Sequence, residues 1–347
     1  MRLAISGAGA IAERAHIRAF VQTPGVEIVA MQSRTAAKAE AVARNLTASG
    51  NLAAPRIYTD FDQMLAREHP DAVGIFTPNR FHCEFTLKAI AAGCHVLVEK
   101  PMAPAAADAR RMVAAADAAG RILMVAMQRR HAGLEQIVKE ALDAGAIGTP
   151  HFIRARLSHG GPEQWAPGQS WFYSREQAGG GAMLDLGVHV ADLAIWMMGE
   201  IDSVIGQVGS VRANIEVEDH GAMVVEFRSG ATGVIEASWN SRPGLASFEI
   251  YGSEGRVMCG YPRLDIEIQR ADGSPTPGYS REEILKRFDP LDFAAPSRAL
   301  AAAFVAAIRG ERAPCPSGAE GMRAVEAIEA CYRSSRTGSR ITLPLEG

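Results

Sequence analysis

The sequence predicts an α/β protein in which a doubly wound parallel sheet precedes a C-terminal α/β domain with a large, mostly antiparallel open sheet. Two observations carry this prediction. Short, continuous apolar runs alternate with helical patterns as far as residue 125, and this rhythm is typical of a parallel sheet covered on both faces. Longer runs with a period of two follow, joined by tight turns, and they favour antiparallel pairing. The 347 residues are enough for two domains, which we place at 1–125 and 126–347.

The N-terminal domain is predicted from apolar strands that alternate with amphipathic helices. Strands are predicted at 2–7, 26–33, 72–78, 95–100 and 122–128. Helices are predicted at 10–23, 35–46, 60–68, 80–93 and 105–120. Gly93 and Gly120 close two of these helices, in the position where glycine commonly ends a helix.

The C-terminal domain is predicted to contain one early helix, a set of strands and two late helices. The strands are predicted at 151–158, 202–211, 221–239, 247–252 and 263–269. The run 221–239 reads as a hairpin that turns about Ser229 and Gly230. The helices are predicted at 132–145, 298–310 and 320–335, with a surface loop at 272–298.

Composition and charge exclude several classes of protein. The net charge of −3 argues against nucleic acid as a partner, because phosphate binding needs a basic surface. We find no signal peptide and no apolar stretch of 18 residues, so no membrane partner is expected. The cysteines are scattered without a CxxC pair, which predicts reduced thiols in a cytoplasmic protein and no structural zinc. They are Cys83, Cys94, Cys259, Cys315 and Cys331.

A glycine-rich turn lies between the first predicted strand and the first helix. The stretch SGAGAIAE at 6–13 has a GxGxxA pattern, and its place in the first βαβ unit is the context that a dinucleotide-binding Rossmann turn requires. Glycine there permits a tight turn and a close approach of the backbone to a pyrophosphate. The alternative is a glycine-rich turn without a ligand. The residues assigned to the cofactor are Gly7, Gly9, Ala10, Ile11 and Ala12.

The end of the second strand bears on which dinucleotide is bound. A site for NAD usually offers an acidic side chain there to the ribose 2′-hydroxyl, and no acidic residue occurs between Val29 and Lys38. Ser33 and Arg34 can instead bind a 2′-phosphate. We therefore predict a preference for NADP(H), with NAD possible. The alternative is that Arg34 is a solvated loop residue and that both cofactors are used.

Polar residues follow two more of the predicted strands. Ligands of open parallel sheets bind beyond the carboxyl ends of the strands, so the TPN and EKP sequences at 77–79 and 99–101 are predicted to face the cofactor. Lys100 can donate a hydrogen bond to a substrate oxygen there. The alternative is a surface lysine paired with Glu99. The residues assigned to the cofactor are Thr77, Pro78, Asn79, His82, Glu99, Lys100 and Pro101.

A helical pattern later in the chain brings an aspartate and a histidine together. Asp185 and His189 are four residues apart and so share one face of a helix, with Asp192 nearly on the same face. A carboxylate orients an imidazole and stabilises its protonated form, and histidine is a suitable general base near neutral pH. The alternative is a packing histidine satisfied by one of the two aspartates.

Several stretches together resemble the glucose–fructose oxidoreductase/inositol dehydrogenase (Gfo/Idh/MocA) family. They are GAGAIA at 7–12, TPNRFHCEFTLKAIAAGCHVLVEKP at 77–101, GGGAMLDLGVHVADLAIWMMG at 179–199, FEIYGSEGRV at 248–257 and EAIEACYRSSRTGSRITLP at 326–344. The resemblance implies a Rossmann domain followed by an α/β domain whose open sheet often forms an oligomer interface. It also implies a nicotinamide-dependent oxidoreductase that acts on a sugar or cyclitol hydroxyl.

By the same resemblance, Lys100, Asp185 and His189 match the family's catalytic and substrate-binding residues. The expected mechanism places the substrate hydroxyl between Lys100 and His189. His189 takes the proton while hydride leaves for the nicotinamide, and Asp185 positions His189 or the substrate. No metal is expected.

Other residues are assigned more loosely. Arg129 and Trp171 are assigned to the cofactor, and Arg156 and His159 to the substrate. Trp165 lies in the same glycine- and proline-rich loop as His159. A mixture of arginine and aromatic side chains suits a polyhydroxylated ligand. The alternative for each is a packing or rim residue, and for Arg129 it is also a salt bridge at the domain linker.

Two other functions remain open at this point. Some members of the family bind a nucleotide but act as sensors or regulators, and others cleave glycosides with a tightly bound nicotinamide that is oxidised and reduced in each turnover. The retention of Lys100 and His189 favours the dehydrogenase or reductase. We expect a carbohydrate or polyol as the small-molecule substrate, and a homodimer or homotetramer that associates through the C-terminal sheet.

Overall fold

The computed structural model describes residues 1–48, 54–164, 166–261 and 265–346. The chain divides into two compact units. The first unit comprises Met1–Gln128 and Ala294–Met322, and the second comprises Arg129–Phe293 and Arg323–Gly347.

The first unit is built on a parallel sheet of six strands in the order β3-β2-β1-β4-β5-β6. Each neighbouring pair is parallel, and all four residues of the fourth strand are buried, as expected where helices cover both faces. The strand order reverses between β1 and β4, which is the switch point of a doubly wound sheet. The strands are β1 Arg2–Ser6, β2 Glu27–Gln32, β3 Arg56–Tyr58, β4 Ala72–Ile75, β5 His95–Val98 and β6 Leu123–Val125.

The α-helices, numbered along the chain, are α1 Arg18–Val21, α2 Ala36–Ala48, α3 Phe61–Glu68, α4 His82–Ala91, α5 Ala106–Ala119, α6 Gly133–Asp143, α7 Arg175–Ala178, α8 Val188–Met198, α9 Arg281–Leu285, α10 Ala295–Ile308 and α11 Gly318–Thr337. A π-helical turn, Ala12–Ile17, leads directly into α1, and another, Met183–Gly187, leads into α8. Short 3₁₀ turns occur at Asn79–Phe81, Gln128–His131, Pro162–Gln164 and Ser170–Tyr173.

Helix α10 belongs to the first unit, which differs from the predicted division of the chain into 1–125 and 126–347. Leu300 and Phe304 are fully buried in the core of the first unit, where the Phe304 ring meets the edge of Phe20 with ring centroids 6.3 Å apart. The predicted loop at 272–298 also contains α9, which begins with a capping box between Ser280 and Glu283. An apolar helix face shows that it must be buried, but not which sheet covers it.

The second unit contains a sheet of eight strands in the order β13-β12-β11-β7-β10-β9-β8-β14. Among the described strands of this sheet, only β7 and β10 pair in parallel. The prediction of a mostly antiparallel sheet is therefore confirmed. The predicted hairpin is β9 and β10, in which Glu226 pairs with Thr232. The strands are β7 Pro150–Ser158, β8 Ile201–Gly209, β9 His220–Phe227, β10 Thr232–Ser238, β11 Leu245–Gly252, β12 Gly255–Tyr261, β13 Asp265–Arg270 and β14 Ile341–Thr342.

The two faces of the second sheet differ. In β10 buried and less buried residues alternate along the whole strand, and α8 packs against β7 and β10 on the buried face. The opposite face carries the half-exposed side chains of Val224 and Ile205. It also carries ion pairs across neighbouring strands, such as Arg156 with Glu236 at 3.8 Å.

One helical stretch among the described residues, Arg175–Met198, is apolar and long enough to cross a membrane, but 94% of its apolar window is buried within the protein. The expectation that no apolar stretch of this length exists was therefore wrong. Its burial shows why the stretch is so apolar: α8 and the turns before it form the central helical layer of the second unit, and few of their side chains reach water.

Candidate active site

The glycine turn after β1 is constrained by the end of β4. Gly7 has φ of +103°, and a Cβ atom there would collide with the carbonyl oxygen of Phe76, so only glycine fits. Its N–H donates to the carbonyl of Gln32, 2.9 Å away, at the end of β2. At Gly9, by contrast, a Cβ atom would meet no described heavy atom within 4 Å. The turn therefore packs on one side and leaves backbone open on the other, which fits a pyrophosphate.

The residues after β4 and β5 are joined through a buried histidine. The two ring nitrogens of His82 each lie 2.8 Å from a carbonyl oxygen, one of Thr77 and one of Pro101. Burial lowers the pKa of His82 and outweighs the opposing effect of these hydrogen bonds. The hydroxyl of Thr77 is buried and has no hydrogen-bond partner among the described residues. A buried hydroxyl without a partner is costly, so this edge of the sheet is polar and incompletely satisfied, as expected where a nucleotide binds.

Glu99 and Lys100 form the turn after β5. The Oε2 atom of Glu99 accepts a hydrogen bond of 2.7 Å from the backbone N–H of Lys100, and its Oε1 atom lies 2.6 Å from Nε2 of His16. Burial raises the pKa of Glu99, but the hydrogen bond from His16 and the positive charge of Lys100 outweigh it, so the pKa lies below its ordinary value. Glu99 thus binds the main chain of Lys100 and the imidazole of His16.

The end of β2 holds the residues predicted to select the dinucleotide. The side chain of Gln32 is used inside the fold, where it accepts from Ser6 Oγ at 2.8 Å and donates to the carbonyl of Thr59 at 3.1 Å. Ser33 is half-buried, and Arg34 is exposed just beyond it. Arg34 is therefore accessible at the strand end where a ribose phosphate is expected.

In the second unit, a buried carboxylate holds the start of the helix that carries Asp185 and His189. Oε1 of Glu218 accepts hydrogen bonds from the backbone N–H groups of Gly181 and Met183, at 2.9 and 3.0 Å, and from the Tyr332 hydroxyl at 2.6 Å. A Cβ atom at Gly181 would collide with the Glu218 carbonyl oxygen, which explains this glycine. Burial raises the pKa of Glu218. The carboxylate satisfies N–H groups that a helix start leaves without partners.

Asp185 and His189 are both almost completely buried, with 7% and 8% of their surfaces exposed. The indole Nε1 of the fully buried Trp239 donates a hydrogen bond of 3.1 Å to Oδ2 of Asp185. The ring of Tyr173 meets Trp239 edge to face, with centroids 5.8 Å apart. Trp239 therefore fixes the orientation of the carboxyl group that is predicted to position His189.

Asp192 forms a buried ion pair with Arg130. Its two carboxylate oxygens accept hydrogen bonds of 2.8 and 2.7 Å from the guanidinium of Arg130, and both side chains are buried. The bidentate pair joins α8 to the chain just before α6. Asp192 is thus fixed by Arg130, and Asp185 is fixed by Trp239.

The loosely assigned residues make contacts of their own within the second unit. Arg129 forms an ion pair of 2.7 Å with the buried Glu135. Arg156 projects from the face of β7 opposite to α8, with its Nε atom 3.0 Å from the Ser247 hydroxyl, so the structure does not bring it to the Asp185 cluster. Trp171 stacks on Phe172, and His159 accepts from the N–H of Gly161. Trp165 lies outside the described residues.

Sequence reasoning missed His16, Glu218 and Trp239. His16 left a weak signal, because it is a polar residue on the buried side of an apolar helical pattern. Glu218 and Trp239 gave no such signal, since Glu218 lies just before β9 and Trp239 just after β10, far along the chain from the residues that they bind. No group of three or more His, Cys, Asp or Glu suited to a metal occurs in the part of the chain that the structure describes.

Two family models match the sequence. The model described as an oxidoreductase family with an NAD-binding Rossmann fold matches residues 1–127, and the GFO/IDH/MocA C-terminal domain matches residues 135–258. The 1,5-anhydro-D-fructose reductase of Ensifer adhaerens is 32% identical over 346 residues, which cover 97% of each chain. The D-apiose dehydrogenase of Paraburkholderia graminis is 31% identical over 346 residues, which cover 95% of this chain and 86% of that protein.

Among solved structures, the WlbA dehydrogenase of Bordetella pertussis, in complex with NADH and UDP-GlcNAcA, is 29% identical with a TM-score of 0.88, over 100% of this chain and 98% of that one. The chain belongs to the GFO/IDH/MocA oxidoreductase family. This confirms the resemblance inferred from the motifs. The protein is a nicotinamide-dependent dehydrogenase or reductase that acts on CH–OH groups.

Replacing Trp239 with phenylalanine tests the support of Asp185 in this oxidoreductase. We expect kcat to fall by about 10–100-fold, because a hydrogen bond to a charged group contributes about 1.5–3 kcal/mol and about 1.4 kcal/mol corresponds to a factor of ten in rate. Steady-state kinetics measure the effect, and a nucleotide titration should show unchanged affinity. Trp196→Phe on α8 is the matched control, because Trp196 contacts Arg130 instead. Equal losses of kcat in both variants would contradict the assignment.

Proposed function

We propose that the protein is an NADP(H)-preferring dehydrogenase or reductase of a sugar, sugar derivative or cyclitol. The observation that carries the proposal is the turn after β5, where Glu99 binds the main chain of Lys100 at the edge of the sheet used by ligands. The names of the relatives support the substrate class, because they refer to an anhydro-sugar, to apiose and to a nucleotide sugar.

The first unit would hold the nucleotide. The turn at Gly7 and Gly9 would bind the pyrophosphate with backbone N–H groups at the start of a helix. The buried hydroxyl of Thr77 has an unused hydrogen-bonding capacity at the same edge. When bound, the nicotinamide supplies the hydride acceptor for oxidation or the hydride donor for reduction.

The remaining chemistry is a proton transfer. Oxidation of a secondary alcohol requires the hydroxyl to lose its proton, and His189 would take that proton on its imidazole as general base. In the direction of reduction, the imidazolium returns the proton to the same oxygen. Lys100 would donate a hydrogen bond from Nζ to the substrate oxygen, and its positive charge stabilises negative charge that develops there. Asp185, fixed by Trp239, would orient the imidazole.

A substrate panel with two variants tests this function. We expect nicotinamide absorbance to change with at least one aldose, ketose, anhydro-sugar or inositol, and expect Lys100→Ala and His189→Ala to lower kcat by about 10²–10⁴, since general acid–base catalysis contributes that much. Lys286→Ala and His151→Ala, at exposed positions, are the matched controls. Turnover that survives both site variants would refute the assigned roles. Nucleotide binding without turnover on the whole panel would favour a sensor.

The preference for NADP(H) has its own test in Arg34. We expect Arg34→Ala to weaken NADPH binding about tenfold or more, because a charge-assisted hydrogen bond contributes about 1.5–3 kcal/mol, and expect NADH binding to stay unchanged. Fluorescence titration with both nucleotides measures the ratio of their dissociation constants. Arg44→Ala, at an exposed arginine on α2, is the control. A wild-type protein that binds NADH as tightly as NADPH would contradict the proposal.

We also propose that the protein forms a homodimer or homotetramer through the open face of the second sheet. That face mixes the exposed apolar side chains of Val224 and Ile205 with ion pairs between strands, and a second copy would present the same alternating surface. We expect Val224→Glu to lower the mass measured by sedimentation, because an unpaired charge would be buried. Val211→Glu, at a residue that is 75% exposed outside the sheet, is the control. An unchanged mass for Val224→Glu, or a monomeric wild type, would exclude this interface.

A further inference from the structure

His16 and Glu99 form a buried pair inside the first unit. They are 1% and 8% exposed, and Nε2 of His16 lies 2.6 Å from Oε1 of Glu99. An ionised carboxylate can only accept hydrogen bonds, so His16 donates from Nε2. Polar groups this deeply buried need partners, and each of these two provides one for the other.

The ring of His16 is held firmly in place. It stacks on the ring of Phe76, with centroids 4.3 Å apart and planes 13° from parallel. Phe76 itself follows β4, and its N–H donates to the carbonyl of Ser6 at the end of β1. The π-helical turn Ala12–Ile17 contains His16, and such turns are frequent at functional sites. The imidazole therefore stays in one position relative to the ends of β1 and β4.

Glu99 connects His16 to the main chain of Lys100. Its backbone N–H donates to the carbonyl of Ile75 at 2.8 Å, while its side chain accepts from the N–H of Lys100 at 2.7 Å and from His16. The carboxylate is thus a link between the helix after the glycine turn and the peptide unit from which the Lys100 side chain departs. The stacking on Phe76 could be made by another aromatic ring, whereas the hydrogen bond to Glu99 needs a donor such as the imidazole N–H.

We infer that His16 is a positioning residue for Lys100, acting through the carboxylate of Glu99. The inference rests on the proposed function, because it takes Lys100 as the group that binds the reacting oxygen. His16 fixes the rotamer of Glu99, and Glu99 fixes the Lys100 main chain, so that the ammonium group approaches its target in one orientation. The competing explanation is a buried pair that only stabilises the fold.

Two substitutions at His16 separate these explanations. His16→Gln keeps an amide N–H close to the position of Nε2, and His16→Leu removes the donor while filling much of the space. We expect kcat of His16→Leu to fall about tenfold or more with unchanged KM and NADPH affinity, because misplacement of a group that acts in the transition state lowers kcat. His16→Gln should retain kcat within about threefold of the wild type. His151→Leu, at an exposed histidine, is the control.

The outcomes distinguish the inference from the proposed function. If Lys100→Ala abolishes turnover while His16→Leu leaves kcat unchanged, the inference is wrong and the role of Lys100 stands. If Lys100→Ala leaves turnover intact, the proposed function is wrong at Lys100, and the inference is lost with it. If His16→Leu does not fold, Glu99→Gln replaces it, since the amide keeps the size of the side chain but turns one acceptor into a donor facing His16 or the Lys100 N–H. A kcat for Glu99→Gln equal to the wild type would then overturn the inference.

A second readout needs neither substrate nor nucleotide. The groups facing Glu99 are His16 from the helix, Lys100 from its own turn and His82 from α4. The pKa of Glu99 is lower in the folded protein than in the unfolded chain. The stability that Glu99 contributes is therefore fully present above its pKa in the unfolded chain, and is lost as the pH falls through its pKa in the folded protein. Without the hydrogen bond from His16, less opposes the effect of burial, so the pKa of Glu99 in the folded protein rises. We expect the acid-unfolding midpoint of His16→Leu to lie about one pH unit higher, and that of His16→Gln to lie between it and the wild type. Identical midpoints in all three proteins would show that His16 does not hold the carboxylate.

Discussion

The close approach of β1 and β4 at their carboxyl ends is the constraint on which the first unit depends. Gly7 packs against the Phe76 carbonyl where any Cβ atom would collide, and this contact occurs at the point where the strand order reverses. Because the two strand ends are so near, the chain after each must diverge, and the space between the diverging turns becomes available to a ligand. The ring of His16 and the hydroxyl of Thr77 lie beside this contact, one satisfied by Glu99 and the other without a described partner.

Buried carboxylates organise both units in the same physical way. Removing a carboxylate from water costs several kcal/mol unless hydrogen bonds replace the lost hydration, and each one here receives at least two. Glu99 accepts from His16 and the Lys100 main chain, Glu218 from two backbone groups and Tyr332, and Asp192 from Arg130. A fully satisfied buried network holds its members in one arrangement. The residues predicted to do chemistry therefore stand next to groups whose positions are already determined.

Local patterns were enough to predict the parallel sheet and the strand-end residues, because the periodicity and the glycine spacing of the first 125 residues are local properties. The local spacing also predicted that Asp185 and His189 share one helical stretch, which is the π-helical turn and α8; their chemical roles stay predictions. Partners brought together by the tertiary fold could not be found in this way. Trp239 reaches Asp185 from 54 residues along the chain, and Tyr332 reaches Glu218 from 114 residues. β3 and β14 have only three and two residues, too short to show a period.

The position of α10 was the largest difference from the sequence prediction, and it has a consequence for how the first unit folds. Residues 294–322 return to the first unit after residues 129–293 of the second unit, and Leu300 and Phe304 fill a core that also contains Phe20. A fragment ending at residue 125 would leave that core exposed, since burial of side chains of this size contributes about 1.5–3 kcal/mol each. The helix that carries Phe20 is continuous with the π-helical turn containing His16. Helix α10 packs against α1, and the turn before α1 presents His16 to Glu99. The support of the Lys100 turn therefore depends on a segment almost two hundred residues further along the chain.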